Sequence, residues 1–130
     1  MTWQIYDYVN SRGNNEIKDW MLRLQKPARA RLNVKLDMLE KNGSNLSTGL
    51  LSDTKEPHIK KIRLNGRVAP RLMLCKGPIE NNKEFTLLFG AIEKDRKLEP
   101  RDAENRAEAR RQEIISNPSS GRRLHEWVTA

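Results

Sequence analysis

HIKKIRLNGRVAPRLMLCK, residues His58 to Lys76, is the stretch that decides how this chain is read. Ile59, Ile62 and Leu64 precede Asn65-Gly66, and Val68, Leu72 and Leu74 follow it. An Asn-Gly pair between apolar runs predicts a β-hairpin, because the tight turns that match strand twist need residues that accept positive φ. The same stretch carries six cations (Lys60, Lys61, Arg63, Arg67, Arg71 and Lys76) and no carboxylate. Like charges opposed across strands repel, so crowding them on one hairpin points to an anion held between them. The competing reading is that they are solvated edge charges that block aggregation.

Register decides which cations meet. A two-residue turn pairs Leu64 with Arg67, Ile62 with Ala69 and Lys60 with Arg71, so that His58, Lys60 and Arg71 share a face. A longer, odd-numbered loop, which Pro70 permits, sets Lys61 and Arg63 with Arg71 instead. Arg71 belongs to the cluster in both. A guanidinium grips phosphate bidentately and an ammonium adds a point charge. Together they can stabilise the extra charge of a phosphorane-like transition state.

Outward from the hairpin, Trp3 to Val9 alternates like a short strand, with Trp3, Ile5 and Asp7 on one face and Gln4, Tyr6 and Tyr8 on the other. Ser11 to Asn15 is turn chemistry, and Asn14 or Asn15 is placed to cap a helix from Glu16 to about Gln25. Its Ile17, Trp20, Met21 and Leu24 form one buried stripe. A second helix runs from Pro27 to Lys41, stopped by Asn42-Gly43. Ala28, Leu32, Leu36 and Leu39 are its inner face, with Arg29, Lys35 and Lys41 pointing elsewhere, and the two helices are expected as an antiparallel pair. Asn42 to Thr54 reads as a loop anchored by Leu46, Leu50 and Leu51.

Beyond the hairpin, Pro78 to Lys83 is a polar turn. Glu84 to Ile92 is apolar on both faces, as a central strand is, and Gly90 within it marks a bulge or a close approach. Glu93 to Lys97 is a charged segment. A last helix runs from about Pro100 to Ile115 on a narrow stripe of Ala103, Ala107 and Ile114. The expected fold is therefore α+β: an N-terminal strand, a two-helix hairpin, a largely antiparallel sheet and a C-terminal helix, with the helices on one face and the other free to bind. Residues 1–116 make a single domain, and 117–130 a mobile tail unless Leu124 and Trp127 dock.

At 130 residues, 36% hydrophobic and 5% aromatic, the chain has material for one thin aliphatic core. A formal net charge of +8 favours a nucleic acid or an anionic surface as partner. The single cysteine, Cys75, excludes an internal disulfide framework and fits a reducing compartment. No window has the length of a membrane span and no leader pattern opens the chain, so a soluble, cytoplasmic protein without membrane contact is expected. With two histidines and no carboxylates spaced to converge, no metal site or other cofactor is expected.

The layout resembles the RelE/HigB superfamily of type II toxin–antitoxin systems, most closely its phage-derived HigB-like branch. The likeness spans Trp3 to Ile115. It rests on Lys18-Asp-Trp-Met-Leu-Arg-Leu24 in the first helix, Lys61-Ile62-Arg63, and Ala69-Pro70-Arg71-Leu72-Met73-Leu74. It continues in Phe89-Gly90-Ala91-Ile92-Glu93-Lys94 before Pro100 and an alanine-rich helix. The resemblance implies a ribosome-dependent, metal-free endoribonuclease, an mRNA interferase whose substrate's 2′-hydroxyl attacks the scissile phosphate. Its partners would be mRNA on the ribosome and a cognate antitoxin. It implies catalytic roles for Lys61, Arg63, Arg71 and Lys94, with Arg96 the next basic candidate, while Lys60, Arg67, Lys76 and Lys97 would bind RNA. Three features depart from the family's pattern: Glu93 stands where a basic residue is common, Ala91 replaces a frequent aromatic, and no C-terminal tyrosine or histidine holds a catalytic position. A non-enzymatic ParE-like toxin or a phage nucleic-acid-binding protein of the same fold is the alternative.

Other signals are weaker. His58 has the chemistry of a general base, and Tyr6 and Tyr8 that of base-stacking rings, but each has an ordinary structural reading. A helix-turn-helix DNA-binding module is disfavoured, because the apolar face of the second helix is committed to the core.

Overall fold

The computed structural model describes residues 2–43, 50–66 and 68–128, the side chain of Val68 excepted. The expected Leu46 anchor and the candidate Arg67 lie outside the described residues. Strand β1 (Gln4–Tyr8) is followed by helices α1 (Glu16–Arg23) and α2 (Lys26–Asn42). Five strands come next: β2 (Ser52–Asp53), β3 (Lys60–Arg63), β4 (Val68–Lys76), β5 (Glu84–Lys94) and β6 (Lys97–Glu99). Helix α3 (Ala103–Ser116) and strand β7 (Arg122–Leu124) complete the order. The α+β class, the two N-terminal helices, the mostly antiparallel sheet and the late helix are those expected from the residues.

Local chemistry explains the helix ends. The Asn15 side chain accepts a hydrogen bond from the Lys18 backbone N–H at 2.9 Å, satisfying one of the orphan donors of α1. Pro27 sits in the first turn of α2, and Gly43 ends it at φ 63°. A Cβ at Gly43 would lie 2.3 Å from Trp3 Nε1, so that stop also needs the missing side chain. The expected inner residues Leu32, Leu36 and Leu39 are buried. Arg29 is a correction: it is buried, and its Nη1 donates to the Leu22 carbonyl, fastening α2 to α1.

The sheet runs β2-β3-β4-β5-β1-β7, with β6 also paired to β5. All ladders are antiparallel except β1 with β5. Central β5 is buried along most of its length, as its two-sided apolarity predicts. The β3–β4 register pairs Arg63 with Arg71, Ile62 with Leu72, Lys61 with Met73 and Lys60 with Leu74. This is the longer-loop alternative; the two-residue turn at Asn65-Gly66 does not form. Leu64 N–H reaches the Pro70 carbonyl at 3.3 Å, which leaves Asn65 and Gly66 in a wider loop.

The expectation of helices on one face fails. Gly90, level with Leu72, lies under Trp20 of α1, and a Cβ there would come within 2.0 Å of the indole. The side chains of Tyr8 and Phe89 project instead to α3, where Arg110 lies over both rings and Glu113 accepts from Tyr8 Oη. The register shift between Met73 and Leu74 carries Phe89 and Thr86 to the same side although three residues separate them. α3 therefore covers the face opposite α1, and the sheet offers no wholly free face.

The C-terminal segment is also a correction. It is not a loose tail: β7 pairs with β1, the His125 N–H donates to the Ile5 carbonyl at 2.8 Å, and Asn33 Nδ2 holds the Val128 carbonyl at 2.7 Å. The residues that dock are His125 and Val128, while Leu124 and Trp127 stay exposed. Among the described residues no helix is long and apolar enough to cross a membrane.

Candidate nucleic-acid interface

Lys61 and Arg63 alternate with buried Ile62 on β3, so both side chains stand on the face that carries Met73 and Arg71 across the ladder. Arg63 is exposed and Lys61 partly so. At the far end of β5, Lys94 pairs with Lys97 around Asp95-Arg96. Both turn residues have positive φ, 52° and 65°, which is the backbone of a type I′ turn. Adopting it without glycine or asparagine costs energy, and the turn holds Arg96 outward and exposed. The directly opposed Lys94 and Lys97 repel each other, a cost that a bound anion would remove.

Lys61, Arg63, Lys94, Arg96 and Lys97 make no side-chain hydrogen bond or ion pair among the described residues. They do not all share one face. Lys94 opposes Val68, three residues from Arg71, so it starts on the other side of the sheet from the β3 cations, about 10 Å along the strand. The cations therefore border one end of the sheet from two sides.

Arg71 is not part of that exposed set. It is 8% exposed, and its guanidinium is already engaged. Nε donates to Glu93 Oε1 at 3.2 Å, and Nη1 donates to the carbonyls of Leu64 at 2.7 Å and Pro70 at 3.0 Å. The expected solvent-facing phosphate ligand is instead a side chain that closes the β3–β4 loop. Glu93, the departure from the basic residue expected there, is its counter-ion. Lys60 is likewise paired, with Asp53 of β2, whose carboxyl is held below its usual range by the Lys60 hydrogen bond and charge. Lys76 lies with Nζ 5.5 Å from the centre of the Trp3 ring, away from the hairpin loop.

Groups with nucleophilic or acid–base chemistry lie elsewhere. Burial pushes the Cys75 thiol up to about 12, so it is no thiolate at neutral pH. Tyr8 is raised to about 12, by burial first and then by its hydrogen bond to Glu113. Tyr6 lies under Arg122, whose guanidinium carbon is 3.9 Å from the ring centre, and Arg122 pairs with buried Glu84. Arg122 thus occupies one face of the Tyr6 ring, and Tyr8 is buried. His58 is exposed just ahead of β3.

One site escaped sequence reasoning. His125 Nδ1 lies 2.7 Å from Asp7 Oδ1, within hydrogen-bond distance. Asp7 Oδ2 accepts from Asn15 Nδ2 at 2.8 Å and from the Glu126 N–H at 3.2 Å. Both side chains of the pair are sealed, at 1% and 0% exposure, and His125 Nε2 has no partner among the described residues. The available signal was Asp7 on the inward face of β1, because a carboxylate buried there requires a donor from elsewhere in the chain. Among the described residues no three His, Cys, Asp or Glu side chains gather to hold a metal.

Comparison with known proteins found no matching family model, no similar curated protein and no similar solved structure.

Proposed function

We propose that the chain is a toxin of the RelE/HigB kind, an endoribonuclease acting on mRNA at the ribosome. The observation that carries this reading is a set of five cations, Lys61, Arg63, Lys94, Arg96 and Lys97, unpaired among the described residues and bordering one end of the sheet. The strand–helix–helix–sheet–helix order agrees with the resemblance in sequence. In the proposed step the RNA 2′-oxygen forms a bond to phosphorus, the bond to the 5′-oxygen breaks, and the products are a cyclic phosphate and a free 5′-hydroxyl. Arg63 and Lys61 stabilise the added negative charge, Lys94, Arg96 and Lys97 hold the flanking backbone, and Arg71 fixes the loop on which Arg63 is carried.

A second reading, RNA binding without cleavage, is favoured by the Arg71–Glu93 pair, which takes the central guanidinium out of reach of a phosphate. Expression of the chain in bacteria, with bulk translation followed and mRNA ends mapped, separates the two. Arrest with new ends inside coding regions supports cleavage. Arrest without new ends supports binding, and unimpaired growth at high expression removes the toxin reading.

A further inference from the structure

The outer face of α2 carries Arg31, Val34, Lys35 and Met38 at i, i+3, i+4 and i+7, a stripe that faces away from the core. Val34 is 60% exposed and Met38 40%, although both are apolar. With Arg63, Leu64 and Asn65 at the start of the β3–β4 loop, these four residues line a single cleft. Among the described residues no carboxylate lines it. Arg31, Lys35 and Arg63 make no ion pair among the described residues.

An apolar floor between cations matches one ligand chemistry. Val34 and Met38, one helical turn apart, present side chains that a second helix covers with apolar residues spaced three and four apart. Arg31 and Lys35 on one side and Arg63 on the other then favour carboxylates along both borders of that helix. A single-stranded RNA would find the charge but no stacking ring, since no aromatic residue among the described ones lines the cleft. We propose that this cleft is the docking site for an acidic amphipathic helix of a partner protein. The inference does not depend on RNA cleavage, and because Arg63 belongs to both surfaces, the docked helix and a polyanion exclude each other there.

The test is a selection on the full-length chain with a displayed library of helical peptides whose surface positions are randomised for charge. Enriched peptides are expected to be acidic, with apolar residues three and four apart. Synthesised singly, they should lose roughly tenfold or more in affinity for Val34→Asp/Met38→Asp and for Arg31→Glu/Lys35→Glu. All four positions are solvent-facing, and circular dichroism and thermal melting check each fold. The charge-reversed variant, if folded, should regain binding to peptides whose Glu positions are replaced by Lys. Four outcomes overturn the proposal: no enrichment, enrichment without acidic bias, binding unchanged in both variants, or a single-stranded RNA oligonucleotide whose binding depends on Val34 and Met38. None of these readouts requires nuclease activity, so failure here is separate from failure of the toxin reading.

Discussion

Arg71 Nε donates to Glu93 Oε1 at 3.2 Å across the β4–β5 ladder, while its Nη1 bridges the carbonyls of Leu64 and Pro70. This makes Arg71 the fastener of the loop that sets Arg63 in place. Arg71→Ala leaves a half-buried carboxylate without its counter-ion and two carbonyls without a donor. Its cost should be about 2–4 kcal/mol in urea unfolding. Arg71→Ala and Glu93→Ala combined should cost less than the sum of the single changes, and additive costs would show that the two residues are not coupled.

Gly90 is where the sheet admits α1. A methyl group there meets the Trp20 ring, whose Cδ2 would be 2.0 Å away. Trp20 is held between α1 and the sheet, so Gly90→Ala is expected to destabilise by about 2 kcal/mol or more. Gly90→Ala combined with Trp20→Leu, which opens room, should recover part of that loss. Unchanged melting of the Gly90→Ala protein would contradict the close approach.

The C-terminal strand is predicted to be integral to the fold. Truncation after Gly121 removes Arg122 from Glu84 and His125 from Asp7, stranding two buried carboxylates, and exposes the site that Val128 fills. The truncated chain should unfold several kcal/mol more easily or fail to accumulate. A truncated protein with native stability would show that the segment is dispensable.

The Tyr8 hydroxyl gives a pH signature. Its pKa is raised above the unfolded value of 10.0 to about 12, so its contribution to stability is intact below pH 10 and is lost as pH rises through about 12. In a spectroscopic titration, the Tyr8→Phe protein should lack a phenolate step at that alkaline end. Lys18 and Glu126 act at the other extreme: the Glu126 carboxyl is held below its usual value by the Lys18 hydrogen bond and charge, so the pair contributes above that value and is lost as pH falls.

Elements with a regular pattern were legible in the sequence. The Ile17, Trp20 and Met21 stripe, the Asn15 cap, the two-sided apolarity of β5 and the Ala103, Ala107 and Ile114 face of α3 depend on neighbours in the chain, and they emerged as expected. What stayed hidden depends on partners far along it. Arg71 is basic and lies in a strand, yet whether it meets solvent or Glu93 is decided by a pairing 22 residues away. The Asp95-Arg96 turn lacks the residues that usually announce positive φ, so β6 was hidden in a charged run. The short β7 was hidden for another reason: Arg123 and Leu124 stay exposed, and the segment is held by the pairing of Arg122 with Glu84 and by His125 and Val128 beyond the strand.

Reconstituted cleavage decides whether the chain is a nuclease. The purified chain is added to ribosomes stalled on a defined mRNA, and cyclic-phosphate ends are measured beside salt-dependent RNA binding. Cleavage within the ribosome-bound message is the expected result. Arg63→Ala should lower its rate by roughly a hundredfold with the fold intact. Lys94→Ala and Lys97→Ala should each reduce the salt slope of binding by about one. Intact mRNA at saturating protein, or cleavage indifferent to Arg63, Lys94 and Lys97 together, would contradict the proposed function.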